Sequence, residues 1–231
     1  MVGTMRPAPL WLSARRSLTL VATVVVFTTG CDPAAPDQSA LITDLADRLS
    51  QSESMTYTAA YELPDGHTAI VSRAQNPPRL ALEYPGGKTV VDDRETTSCA
   101  PAPEGPAPGG MVCTVRPASS VPVELLDAAS AAGLPAPASV ADLLVRTSFD
   151  PNVMVDWRDT TLVGRHATCV SVSGLATAPP FEACVTSDGV LGSFAGTVGG
   201  HPVRLTLTRF RTDVDATAFD PPAGATVIEQ D

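Results

Sequence analysis

Hydrophobic and polar positions along the chain follow two periods, and the period changes twice. Apolar residues recur at helical spacing over 39–52, with leucine and isoleucine on one face and acids on the other. Over 56–116 they alternate with polar residues at a period of two, interrupted by Pro-Asp-Gly and Pro-Gly-Gly turns. Helical spacing returns over 122–132 and 139–147, and alternation resumes from 153 to 210. The pattern predicts a helix, about five strands, two helices and about five further strands.

Short turns indicate how these strands pair. Each strand is followed by the next after only a few residues, and such connections join antiparallel neighbours. We therefore predict an α+β fold, in which one curved antiparallel sheet carries helices on its concave face. Ser139 and Asp142 have the spacing of a helix cap, so the third helix is expected to begin at Ser139.

The first 30 residues have the pattern of an export signal. Three arginines precede an apolar run, 18–29, that is shorter than the roughly 20 residues a membrane-spanning helix needs. The run ends in Thr28-Thr29-Gly30-Cys31, which resembles a bacterial lipobox except that Thr28 replaces the usual leucine. We expect cleavage between Gly30 and Cys31 and lipidation of Cys31. The alternative is an ordinary cleaved signal followed by an incidental cysteine.

This reading divides the chain into a lipoprotein signal peptide (1–30), a polar tether (31–38) and a folded domain (39–231). Without its first 30 residues the chain has 12 basic and 25 acidic residues, a net charge of −13. Nucleic acids are excluded as partners because phosphate binding needs a basic surface. The expected membrane contact is the lipid on Cys31, which places the protein on the extracytoplasmic face of the cell membrane.

Four cysteines follow Cys31, and an even number in an exported domain indicates two disulfides. Three pairings are possible. The local pattern favours Cys99 with Cys113, which flank a Pro/Gly/Ala segment, and Cys169 with Cys184, which fall opposite each other if their strands form a hairpin. No metal site is expected, because none of these cysteines belongs to a Cys-x-x-Cys motif.

The element order and three segments resemble the lipoprotein-carrier fold of LolA and LolB, and especially actinobacterial lipoproteins of the LppX and LprG type. The segments are DWRDTTLVGRHATCVSVSG, FEACVTSDGVLGSF and FDPPAGATV. The lysine-poor composition, with Lys88 as the one lysine, fits an actinobacterial source. Over roughly residues 39–225 the resemblance implies an unclosed β-barrel over an apolar cavity, and it implies that the FDPPAGATV segment closes the sheet.

The same resemblance implies binding and transfer of a lipid, a lipoglycan or another hydrophobic ligand. The alternative is an envelope sensor of the RseB type, which binds a protein partner of the envelope. The small Ala and Val side chains leave room for a cavity, although each candidate contact also has a simpler role in the core or on the surface. The candidate ligand contacts are Tyr61, Leu125, Leu126, Leu143, Leu144 and Trp157.

Catalytic chemistry has no motif in this sequence. Gly-x-Ser-x-Gly, the P-loop, Gly-x-Gly-x-x-Gly and His-Glu-x-x-His are all absent. His67, His166 and His201 are expected at exposed turns, and the acidic pairs Asp92/Asp93 and Asp156/Asp159 at solvated strand ends. We therefore expect neither an enzyme nor a cofactor.

Overall fold

The computed structural model describes residues 37–102, 110–117 and 123–230, with backbone only for 123–125. The predicted signal peptide, Cys31 and most of the predicted tether lie outside the described residues. The helices are α1 (Gln38–Gln51), α2 (Val123–Ala131) and α3 (Pro137–Phe149). The strands are β1 (Tyr57–Glu62), β2 (Thr68–Gln75), β3 (Pro78–Tyr84), β4 (Gly87–Asp92), β5 (Glu95–Pro101), β6 (Met111–Pro117), β7 (Met154–Leu162), β8 (Arg165–Ser173), β9 (Phe181–Thr186), β10 (Leu191–Val198), β11 (His201–Arg211) and β12 (Thr226–Glu229). Short 3-10 helices occur at Ser52–Ser54 and Ala216–Phe219.

The first helix begins within the predicted tether. The Asp37 carboxylate caps α1 by accepting a hydrogen bond from the backbone N–H of Ser39, at 3.2 Å. Asp37 and Gln38 therefore belong to the helix and its cap. The helix buries the apolar face that its periodicity predicts, through Ile42, Leu45, Ala46 and Leu49.

The start expected for α3 was wrong. The helix begins at Pro137, with Ala136 as its N-cap residue and no side chain capping it. Proline suits the first helical position because its φ is already helical and its missing N–H would have no partner there. Ser139 is thus an interior residue of the first turn. No helix in the described part of the chain is long and apolar enough to cross a membrane.

The strands form one open sheet in the order β12-β6-β5-β4-β3-β2-β1-β11-β10-β9-β8-β7. The antiparallel expectation holds for every neighbouring pair except β12 with β6, which are parallel. The C-terminal FDPPAGATV segment was expected to close the sheet, but it adds β12 as an edge strand beside β6. A four-residue strand that pairs on one side cannot join β6 to β7 at the distant edge.

Contacts of α2 indicate that the sheet is curved. This helix touches β3 and β4 and also β11. The strands from β4 to β11 would span about 19 Å if they lay flat, because neighbouring strands are about 4.8 Å apart. A nine-residue helix is only about 14 Å long. These contacts fit a sheet that bends around the helices, whose apolar faces pack on its concave side.

The C-terminal segment covers part of the opposite face. Along β3, Leu80 and Leu82 face the helices, whereas Ala81 faces the other way and packs with Val90 and Phe219. The ammonium of Lys88 donates a hydrogen bond to the carbonyl oxygen of Asp220, at 2.7 Å. This bond and the packing of Phe219 hold the chain in place before β12.

Both disulfides expected from the local pattern are present. Cys99 bonds to Cys113 across β5 and β6, and Cys169 bonds to Cys184 across β8 and β9. Each pair lies directly opposite in the register of its two strands. The bridged residues are 14 and 15 positions apart, and closing loops of that length stabilises a fold by about 3 kcal/mol each in the chain-entropy account.

Two neighbours on α3 test the importance of the core. Leu144 is fully buried and Val145, the next residue, is 41% exposed. We expect Leu144→Ala to lower the free energy of unfolding by about 2–5 kcal/mol, because it removes packed methyl groups and leaves a cavity. Val145→Ala should change it by less than about 0.5 kcal/mol. Urea unfolding of the two variants measures the difference, and equal effects would contradict the packing described here.

Burial of Tyr61 makes the free energy of unfolding depend on pH in the alkaline range. Burial raises the pKa of its phenol well above the usual value, and the pKa of buried Tyr57 is raised for the same reason. In the unfolded chain these groups ionise near pH 10. Stability is therefore fully present below about pH 10 and falls as pH rises beyond it, because the unfolded state then binds fewer protons. Tyr61→Phe should flatten this fall, as measured by urea unfolding at increasing pH.

Candidate functional site

A groove of about 570 Å³ lies where α2 and α3 meet one end of the sheet. Its other walls are the loop between β8 and β9, at residues 177–179, and the β10–β11 turn, at residues 197–200. The volume falls within the roughly 300–1,000 Å³ typical of small-molecule sites. Since the groove opens to solvent, a ligand can enter it without passing through the core.

One face of α3 forms one wall of this groove. Ser139, Asp142, Leu143 and Arg146 all line it, and their spacing places them along a single helical stripe. Leu126 and Ser130 of α2 stand opposite, one turn apart. The Ser130 hydroxyl donates to the carbonyl oxygen of Leu126 at 2.9 Å, so its donor is already used.

The base of the groove is apolar. Leu126, Leu143, Ala178 and Val198 line it, and each is also part of the main core or packed against it. The groove is therefore an exposed extension of the core's surface. An apolar ligand chain placed there would bury these side chains further from water, which is favourable in proportion to the area removed.

A contact between a histidine and a carboxylate lies at the turn end of the groove. The His201 Nε2 atom is 3.2 Å from the Asp127 Oδ1 atom, and this contact joins α2 to the first residue of β11. Gly199 makes room for it, because its φ is +59° and an added Cβ would lie 3.0 Å from the same carboxylate oxygen. A larger residue at position 199 would strain the turn and displace Asp127.

Arg146 provides positive charge on the α3 wall. Its side chain is exposed, and within residues 37–102, 110–117 and 123–230 no carboxylate lies within 4.0 Å of it. Asp142, one turn earlier, faces the same groove. A ligand with an anionic group would thus find a guanidinium available at Arg146 and carboxylates at Asp142 and Asp127, which fixes its orientation.

The predicted ligand contacts separate into distinct environments. Leu126 and Leu143 line the groove, whereas Tyr61 and Leu144 are buried in the core and line no part of it. Trp157 is 46% exposed on the edge strand β7. The side chain of Leu125 lies outside the described residues.

The sequence pattern did not indicate Arg146, Asp142 or Val198 as ligand contacts. A signal for the first two was present, since Ser139, Asp142 and Arg146 flank Leu143 at helical spacing and give α3 a mixed polar edge. No local signal indicated Val198, because its place in the groove depends on the β10–β11 turn approaching two helices that are distant in sequence.

The other candidate chemical groups do not line the groove. His67 and His166 pair with Asp65 and Asp159 at 2.9 and 3.5 Å, on exposed parts of the chain. Cys169, Glu182 and Cys184 have ligand atoms close enough to surround an ion. The two sulfur atoms are bonded to each other, so they offer no thiolates to a metal.

Comparisons with known proteins do not assign this chain to a family. No family model matches it, and no curated protein matches it. A solved structure described as an uncharacterized conserved protein from Thermus thermophilus is similar at 14% identity and a TM-score of 0.41, covering 81% of this chain and 98% of the other. At that TM-score and identity, this similarity contributes nothing to the functional argument.

Proposed function

We propose that the protein is a cell-envelope lipoprotein that binds an amphipathic lipid in the groove between α2, α3 and the sheet. The observation that carries the proposal is the groove's composition: an apolar base next to an arginine that no carboxylate of the described residues pairs with. The open curved sheet with helices on its concave side supports the finer assignment to a LolA-like architecture, which the resemblance implies. Cys31 is the proposed site of the lipid anchor on the extracytoplasmic face of the membrane.

In this proposal one acyl chain lies along Leu126, Leu143 and Val198. Each methylene group removed from water contributes about 0.8 kcal/mol. The anionic head group stays at the rim, where the Arg146 guanidinium donates charge-assisted hydrogen bonds to it. Asp142 and Asp127 repel the same group, so the head group is directed toward Arg146. Transfer of the ligand to another carrier or membrane is possible from such a site because the groove is open to solvent.

A second candidate function is supported by the filled core. Tyr61 and Leu144 are fully buried among other side chains, whereas a carrier with an enclosed lipid cavity between sheet and helices would need space there. An envelope sensor that binds a protein partner needs no such space. The two functions differ in whether a lipid accompanies the purified protein.

Lipid binding is tested by mass spectrometry of organic extracts from residues 32–231, expressed in an oxidising compartment and purified without detergent. We expect a stoichiometric lipid or lipoglycan. A blank extract, repeated after incubation with total envelope lipids, would contradict the carrier function and favour the sensor.

The groove itself is tested with a single-chain anionic lysophospholipid. Arg146→Gln and Leu126→Asn should each weaken binding by about tenfold, because one removes the charged donor and the other removes apolar contact. Val227→Asn is the control for the loss of an apolar side chain, since Val227 is exposed on β12 and lines no part of the groove. Fluorescence titration of the three variants measures the affinities, and equal losses in all three would place the lipid elsewhere.

The anchor is tested by Cys31→Ser in the full chain, expressed in a bacterial host. We expect the wild-type protein to enter the detergent phase and to carry diacylglyceryl mass on Cys31, and the variant to remain aqueous without it. Both disulfides should persist in the variant, which serves as the folding control. Wild-type protein that stays aqueous would refute the anchor.

A further inference from the structure

The two most exposed large hydrophobic side chains in the described residues lie on either side of one connection. Phe149, the last residue of α3, is 81% exposed, and Met154, the first residue of β7, is 66% exposed. Val145 precedes Phe149 by one helical turn and is also exposed. We call these three residues the Phe149 patch. Single exposed apolar residues are common on protein surfaces. Exposed Phe and Met side chains at the same end of a domain instead indicate a contact surface.

This end of the domain is also where the chain enters the fold. Asp37, Gln38 and Ser39 line a second groove, of about 280 Å³, together with Phe149 and Val153. The Ser39 hydroxyl donates to the carbonyl oxygen of Ser148 at 3.2 Å. The start of α1 is thus fixed directly beside the end of α3.

The length of the connecting chain limits how far this end can lie from the anchor. Five residues separate Cys31 from Asp37. Even fully extended, the chain from Cys31 to Asp37 reaches only about 20 Å. A lipid on Cys31 would therefore keep the Phe149 patch close to the bilayer surface. Val163, the residue that follows β7, lies about 30 Å from Met154 along the strand direction.

We infer that the Phe149 patch inserts into the surface of the bilayer to which the protein is anchored, and that it orients the domain with this end toward the membrane. The inference rests on the proposed Cys31 anchor. Aromatic and thioether side chains enter the interfacial region readily, and tethering supplies the high effective concentration that a small patch requires. The groove at Arg146 would then have a fixed orientation relative to the membrane.

The charges around the Phe149 patch indicate that it contacts the membrane through apolar side chains and not through attraction to anionic lipids. Asp37 and Asp150 line the second groove, and Asp156 lies two residues beyond Met154. These acids would be repelled by anionic head groups. Zwitterionic phosphatidylcholine vesicles are therefore the appropriate probe.

Tryptophan quenching tests the orientation. The full chain carries Trp11, in the predicted signal peptide, and Trp157. In a Trp157→Phe background, Phe149→Trp reports on the patch. Val163→Trp is the matched control, because Val163 is an exposed apolar residue just after the far end of β7. Each variant is purified as the lipoprotein and reconstituted into phosphatidylcholine vesicles with brominated acyl chains.

We expect Phe149→Trp to lose most of its emission and to shift to the blue, while Val163→Trp keeps the emission it has in unbrominated vesicles. Mass spectrometry of the same samples establishes whether Cys31 carries lipid. If it does and neither tryptophan is quenched, the membrane contact is overturned and a protein partner becomes the occupant of the patch. Quenching of Val163→Trp alone overturns the orientation. If Cys31 carries no lipid, the anchor fails first and this inference falls with it.

Discussion

The pairing of β1 with β11 is the contact on which the rest of the structure depends. These strands belong to two antiparallel series that the chain builds separately, β1 to β6 and β7 to β11. Thr58 pairs with Arg211 at one end of the ladder and Glu62 with Thr206 at the other, with an irregularity between Ala60 and Tyr61. Backbone hydrogen bonds across this pair merge the two series into one surface. Without them α2 would have no common support, because it touches strands from both series.

Glycines allow the helices to lie close to neighbouring turns and side chains of the sheet. Gly189, in the β9–β10 turn, has a φ of +81° and lies against the carbonyl of Arg48 in α1, where a side chain would clash. At the other end of the helix layer, Gly133 ends α2 with a φ of +91° and lets Leu134 enter the core. The two glycines set where α1 and α2 lie on the sheet. The position of α3 then follows from its packing against α1.

The candidate groove is a consequence of that arrangement. The groove lies at the edge of the core, where Leu126, Leu143 and Val198 pack with core residues and also line the groove. Charged side chains from the same helices surround this apolar base. The contact of Asp127 with His201 joins α2 to the turn, whereas the guanidinium of Arg146 lines the groove. An apolar surface beside an available cation is suited to amphipathic molecules, and this combination motivates the proposed lipid ligand.

Local sequence determined most of the elements and both disulfides. The period of apolar residues indicated α1 and nearly every strand, because one buried face imposes a period of 3.6 on a helix and of two on a strand. Turn residues then set the register that brings Cys169 opposite Cys184. The export signal and the lipid anchor at Cys31 stay predictions from sequence, since they lie outside the described residues. Tertiary structure decided the β1–β11 pairing, the parallel β12 and the groove. Each of these joins residues that are distant in the chain, so none of them produces a periodic pattern of apolar residues in the sequence. For this reason the sequence suggested Tyr61 and Leu143 as equivalent ligand candidates, and only the packing of α3 against the sheet separated Tyr61, which lies inside the core, from Leu143, which lies at the edge of the core and lines the groove.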